Sequence, residues 1–143
     1  GWQLLHVTGE RSDLEDPGVP GYALRRYVDR MDLAYALADL VLSRAGSATV
    51  SEIAALGLPA VYVPYAVGNG EQRRNAQGSV DAGAAMIVDD AGFDGDAVRS
   101  VILPLLRDRD RIAAMAAAAE DTGIRTGSEN VIAQVDRALA RRG

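Results

Sequence analysis

The sequence predicts an α/β protein in which an open parallel sheet is followed by several helices. Three observations lead there. Short apolar runs alternate with helix-patterned stretches between Trp2 and Val88, the order that builds βαβ units and a parallel sheet covered on both faces. From Asp94 onward the strand pattern is gone and the text is helical throughout. The chain has 143 residues, 48% hydrophobic and 24% charged, which is the size and composition of one domain with its own core.

Taken in order, Trp2 to Val7 reads as a buried strand closed by Thr8-Gly9, and the acidic, Pro- and Gly-bearing stretch 9–20 reads as a loop. Tyr22 to Val28 reads as a second strand and Met31 to Ala38 as a helix. Asp39 to Ser43 is the clearest strand, with Arg44 to Ser47 as the turn behind it. Thr49 to Leu56 is a helix stopped by Gly57 and Pro59. Ala60 to Val63 is a strand ended by Pro64. A loop from Tyr65 to Gly70 leads into a helix over 71–81, and Ala84 to Val88 is the fifth strand. Helices over 95–106, 108–121 and 127–141 complete the chain.

Composition removes several chemistries. With 0 cysteines there are no disulfides, cysteine zinc sites, iron–sulfur clusters or thiol catalysis. His6 is the 1 histidine, so no metal site rests on two imidazoles. All 15 basic residues are arginine, which excludes a Schiff-base lysine and a lysine-bearing phosphate loop. A net charge of −5 argues against nonspecific binding to nucleic acid. No apolar run approaches the roughly 18–20 residues of a membrane span, and the start does not read as a signal peptide. The chain therefore reads as a soluble, intracellular domain.

Ligands of open parallel sheets sit beyond the carboxyl ends of the strands, where the sequence places glycines, small hydroxyls, and unpaired Arg44, Glu52 and Gln72. In Arg44-Ala45-Gly46-Ser47-Ala48-Thr49-Val50-Ser51-Glu52 a strand runs into a helix. Gly46 permits close approach of the backbone, and free N–H groups at a helix start favour phosphate. The same letters, Thr49-Val50-Ser51-Glu52, also fit a capping box in which Glu52 merely closes back on the helix start. Glu71, Gln72 and Asn75 open the next helix after Gly68-Asn69-Gly70. They read either as ordinary first-turn partners of the helix dipole or as readers of sugar hydroxyls. Asp94-Gly95-Asp96 has the spacing of a metal–nucleotide motif but reads as a helix N-cap. His6 reads as packing or surface, and 107–111 as a solvated charge run.

In order along the chain, His6-x-Thr8-Gly9, Tyr27-Val28-x-x-Met31 and Ala34-Tyr35-x-x-Ala38-Asp39 are followed by Ser43-Arg44-Ala45-Gly46-Ser47-x-Thr49-x-x-Glu52. Gly57-x-Pro59, Pro64 and Asn69-Gly70-Glu71-Gln72-x-x-Asn75-Ala76 complete the set. Together they resemble the carboxy-terminal domain of the MurG family, closely over residues 2 to about 90 and loosely over the helical tail. The resemblance implies the Rossmann-like carboxy-terminal half of a GT-B glycosyltransferase that moves N-acetylglucosamine from UDP-N-acetylglucosamine to lipid I, making lipid II for peptidoglycan. It implies that Val28 meets the uracil edge through its backbone with Met31 beside it, and that Glu52 takes the ribose hydroxyls. Ser47, Ala48 and Thr49 would face the diphosphate and the sugar, Arg44 and Gly46 would be further substrate-binding residues, and Glu71, Gln72 and Asn75 would lie near the N-acetylglucosamine.

It also implies what is missing. Residues 1–143 would be a UDP-sugar donor-binding domain without its first strand-turn-helix and without the amino-terminal acceptor domain. That other domain would carry the catalytic base, the lipid I site and the contact with the cytoplasmic face of the membrane. No catalytic residue, metal or cofactor is expected in this chain, and alone it should not catalyse transfer. The full-length enzyme would be cytoplasmic and peripheral on the inner face of the membrane. Two rivals stand beside this reading: the donor domain of another GT-B UDP-sugar transferase, and a noncatalytic nucleotide-binding domain.

Overall fold

The computed structural model describes residues 1–121, and the helix expected over 127–141 lies outside them. The chain divides into two units, Gly1–Ala38 and Asp39 onward. Every strand pair is parallel, as the alternation predicts, but the pairing is split between a two-stranded and a three-stranded sheet.

In the first unit β1 (Leu4–Val7) pairs with β2 (Tyr22–Arg25), Leu4 opposite Tyr22 and Val7 opposite Arg25. The sequence pattern reads β1 as buried, yet Leu4, Leu5 and Val7 are exposed. A sheet of two strands gives neither an outer neighbour. β2 also ends before Val28, because its partner runs out: Thr8 N–H donates to the Arg25 carbonyl at 3.0 Å and closes the ladder. Val28 therefore sits, half-buried, in irregular chain ahead of α1 (Met31–Ala36).

The long connection between β1 and β2 is tied down by Asp16, whose carboxylate accepts from Gly18 N–H at 2.9 Å and Leu24 N–H at 3.2 Å. These backbone donors hold its carboxyl below the ordinary aspartate range. His6 spends its Nδ1 on the Tyr22 hydroxyl at 2.6 Å, which agrees with a packing role.

In the second unit β3 (Val41–Ser43), β4 (Ala60–Tyr62) and β5 (Ala85–Ile87) form a sheet in that order. The crossovers between them are α2 (Ser47–Ala55) and α3 (Glu71–Asp81), as parallel neighbours require. Central β4 is fully buried. Val61 packs on Ile102, Leu105 and Met115, and the pleat sends Ala60 and Tyr62 to the opposite face. Both crossover helices end alike. Gly57 (φ 67°) and Gly83 (φ 80°) adopt the left-handed conformation that lets the next N–H reach back to the last turn, Leu58 to Ile53 at 3.1 Å and Ala84 to Ser79 at 2.9 Å.

The run expected as one helix over 95–106 is broken into α4 (Gly95–Ala97), a π-helical turn Val98–Ile102 and α5 (Leu103–Arg107). Pro104 has no N–H to give and its ring crowds the carbonyl four residues back, so the helix widens ahead of it. Asp94 caps this segment, accepting from Asp96 and Ala97 N–H at 2.9 Å each, as the capping reading expects. Asp96 pairs with Arg99. Within the charge run, the Asp108 carboxylate accepts from Arg111 N–H at 2.9 Å at the head of α6 (Arg109–Asp121).

Ile53, 1% exposed on the buried face of α2, has no route to collapse when truncated. Ile53→Ala should cost about 2–5 kcal/mol in urea unfolding followed by circular dichroism. For Asp16 the folded pKa lies below the unfolded one, so its tie is intact above the ordinary aspartate value of about 3.9 and is lost as pH falls through the depressed folded value. The amide NMR shifts of Gly18 and Leu24 should therefore titrate together, with a midpoint below that ordinary value.

Candidate functional site

At the carboxyl ends of β3 and β4 two loops meet the head of α3. Gln72 and Asn75 stand three residues apart and so share one face of that helix. Gln72 Oε1 accepts from Ala45 N–H at 3.2 Å and from Tyr65 N–H at 3.1 Å. Asn75 Nδ2 donates to the Ala45 carbonyl at 3.0 Å. The backbone N–H and C=O of Ala45 are thus both satisfied by side chains of α3, and Ala45 is fully buried. An orphaned buried N–H or C=O costs about 1–3 kcal/mol, so the turn from β3 into α2 is held where these amides put it.

The chain enters α2 at once from that turn. Gly46 is the N-cap, with φ −62° and ψ 147°, and Val50 N–H closes the first turn on the Gly46 carbonyl at 2.9 Å. The helix starts two residues earlier than the sequence suggests, which overturns the capping box. Thr49 lies inside the first turn and Glu52 one turn further on, and no side chain among the described residues caps this helix. Glu52 is exposed, and its carboxylate makes no hydrogen bond or ion pair among the described residues. The N–H groups of Ser47, Ala48 and Thr49 likewise find no acceptor among the described residues. Glu52 follows Ala48 and Thr49 by four and three residues, so it shares their face of the helix, about 5.4 Å along the axis. Gly46 has dihedrals open to any residue, and a Cβ there would meet only Thr49 Oγ1 at 3.9 Å.

Arg44 reads as unpaired in the sequence, and the structure corrects this. Its Nη1 donates to the Val63 carbonyl at 3.0 Å and to the Asp90 carboxylate, while the guanidinium lies over the Tyr65 ring at 4.1 Å. Arg44 thereby joins the ends of all three strands. Glu71 is exposed in the first turn of α3, where the dipole favours a carboxylate. In the first unit, the peptide groups of Val28 make no hydrogen bond among the described residues, and Met31 opens α1. Among the described residues no cluster of three or more His, Asp or Glu is placed to hold a metal ion, and no helix is long and apolar enough to cross a membrane.

Sequence reasoning missed Ala45, Val63, Tyr65 and Asp90 as parts of this site. Ala45 and Val63 act through their peptide groups, which carry no side-chain signal. Asp90 stands 46 residues from its arginine, although an Asp89-Asp90 pair at the end of a strand was a visible counter-charge.

A parallel α/β sheet with helix N-termini at its strand ends is shared by many nucleotide-binding folds, and among solved structures this chain matches glycosyltransferases of the GT-B class. The crystal structure of Acinetobacter baumannii MurG matches 93% of this chain and 40% of its own, with a TM-score of 0.70 and 25% identity. The spinosyn forosaminyltransferase SpnP matches at a TM-score of 0.64 and 18% identity, over 96% of this chain and 34% of its own, a likeness of fold alone. The chain belongs to the glycosyltransferase family 28 C-terminal domain family, whose model matches residues 1–133.

Among its relatives is the UDP-N-acetylglucosamine–N-acetylmuramyl-(pentapeptide) pyrophosphoryl-undecaprenol N-acetylglucosamine transferase of Leifsonia xyli subsp. xyli. It is 56% identical over 98% of this chain and 39% of the relative. The protein of the same name from Mycolicibacterium smegmatis is 48% identical over 99% and 37%. The chain thus spans about two fifths of the length of the relatives it matches.

The clamp on Ala45 predicts an asymmetry between two conservative changes. Gln72→Glu keeps an oxygen that accepts from both N–H groups, so stability should stay within about 0.5 kcal/mol of wild type. Asn75→Asp replaces a donor with a carboxylate facing a carbonyl and should cost about 1–3 kcal/mol. Thermal unfolding of the two variants checks this.

Proposed function

We propose that this chain is the donor-binding half of a transferase that moves N-acetylglucosamine from UDP-N-acetylglucosamine to lipid I, giving lipid II. In that reaction the acceptor sugar hydroxyl attacks the anomeric carbon with inversion, and UDP leaves with the bonding electron pair. The single observation that carries this reading is the head of α2. Among the described residues, three N–H groups without acceptors stand one turn ahead of a carboxylate without a partner. Such donors suit a diphosphate, because a helix start offers both hydrogen bonds and a favourable dipole. A carboxylate accepts two hydrogen bonds from the cis-diol of a ribose. The family and the names of the relatives supply the rest.

In this reading Ser47, Ala48 and Thr49 take the diphosphate, Glu52 the ribose, and Glu71, Gln72 and Asn75 lie toward the N-acetylglucosamine. Gly46 leaves the approach clear. For Val28 and Met31 the uracil roles rest on the resemblance and on the open peptide of Val28. Arg44 is assigned here to holding the loops in place of direct contact with the donor. Residues 1–143 form one donor domain, and the acceptor site, the catalytic base and the contact with the cytoplasmic face of the membrane belong to the remainder of the longer protein. That protein would be cytoplasmic and peripheral on the membrane, and donor binding would need no metal or other cofactor.

Titration of the chain with UDP, UDP-N-acetylglucosamine, UDP-glucose and TDP, with and without chelator, tests this. UDP-N-acetylglucosamine should bind most tightly and chelation should change nothing. Glu52→Gln should weaken UDP by about 1.5–3 kcal/mol, tenfold or more, with Tm almost fixed. Equal UDP affinity in wild type and Glu52→Gln would remove the ribose role. The chain alone should produce no lipid II, since half a cleft cannot position two substrates.

A further inference from the structure

We infer that Asp90 is a positioning residue for the donor site, acting through Arg44 on both loops that Gln72 ties together. The inference deepens the proposed function and rests on it for the ligand, but its structural content is separate.

Asp90 opens the turn after β5 (Asp90–Gly92), and its carboxylate receives Arg44 Nη1. The same nitrogen donates to the Val63 carbonyl, and the guanidinium covers the Tyr65 ring. Tyr65 is therefore held twice: its ring by Arg44, and its N–H by Gln72 Oε1 at 3.1 Å. That oxygen also holds Ala45 N–H, and Ala45 follows Arg44 directly in the chain. The contacts thus close a ring through Arg44, Tyr65, Gln72 and Ala45. Asp90 is the anchor of that ring on the turn after the third strand of the sheet.

A cation stacked on an aromatic ring while bonded to a carbonyl and a carboxylate has few other geometries open to it. With a carboxamide in place of the carboxylate, the guanidinium keeps only neutral acceptors and is free to follow solvent. Tyr65 then loses its lid, and the shared acceptor on Gln72 is contested by a looser loop. Asp89 next door is the natural control. It pairs with Arg73 on α3, but both side chains are more than half exposed, at 75% and 53%, against 31% for Asp90. Exposed pairs of that kind contribute little.

The test uses wild type, Asp90→Asn, Asp90→Glu and Asp89→Asn, with two readouts on each. The first is hydrogen exchange of the Ala45 and Tyr65 amides relative to the Val61 amide in the core, which removes any global change in stability. The second is UDP affinity by calorimetry. Asp90→Asn should speed exchange at both amides at least threefold and weaken UDP at least threefold. Asp90→Glu and Asp89→Asn should stay within twofold of wild type on both.

Unchanged exchange in Asp90→Asn overturns the inference. So does tighter UDP binding, which would make Asp90 a competitor of phosphate for Arg44. An effect of equal size in Asp89→Asn would also overturn it, by showing that local charge and not the ring of contacts matters. Should wild type fail to bind UDP, the proposed function falls, and the exchange comparison alone decides the role of Asp90.

Discussion

The second unit depends on one short set of hydrogen bonds: α3 satisfies the backbone N–H and C=O of Ala45 from the side. The turn between β3 and α2 has no ladder partner beyond Ser43, so its buried N–H and C=O must find acceptors and donors elsewhere. Gln72 and Asn75 supply one of each. With Ala45 held, Gly46 can serve as N-cap and α2 begins immediately. This places three N–H groups at the sheet's end, and the position of Glu52 follows from helical geometry alone. The same Gln72 oxygen reaches Tyr65, so the loop after β4 shares its anchor with the loop after β3. One amide oxygen sets the spacing between the two loops that border the candidate site.

Much of this architecture was legible before any coordinates. The order of strands and helices in the second unit follows from alternating apolar runs, and α3 occupies the expected residues 71–81. Its stop, like that of α2, is written in a glycine with left-handed dihedrals. Asp94 was legible as a cap because an acidic residue ahead of a helix has a local partner three residues on.

What the letters hid were partners distant in sequence. Thr49-Val50-Ser51-Glu52 satisfies the capping-box pattern, but a pattern does not say where the helix starts. That start is decided by α3, more than twenty residues later, through Ala45. Arg44 looked unpaired for the same reason. Its counter-ion comes from the turn after β5 and its platform from the loop after β4. Burial of β1 was misread because an apolar run records what a strand would bury in a full sheet. In the described residues it has one neighbour.

The polar groups of the site therefore fall into two sets, and the division carries chemical information. Arg44 and Asp90 are engaged with each other, as are Asp94 and Asp96 with the helix they open. Gln72 and Asn75 are each engaged by half. With its oxygen bonded twice, Gln72 has only Nε2 left, a donor. With one Nδ2 hydrogen bonded to Ala45, Asn75 keeps Oδ1, an acceptor, and the second hydrogen of Nδ2. In a free carboxamide the two ends exchange by a simple flip. Here a flip of either one would face donor to donor or acceptor to acceptor at a buried peptide unit, so the polarity of the remaining halves is locked. Beside them, the free backbone groups at the head of α2 offer donors only and the Glu52 carboxylate acceptors only. A ligand suited to this surface must bring negative charge to the helix start, paired donors to the carboxylate, and a group that both accepts and donates, such as a hydroxyl, to α3.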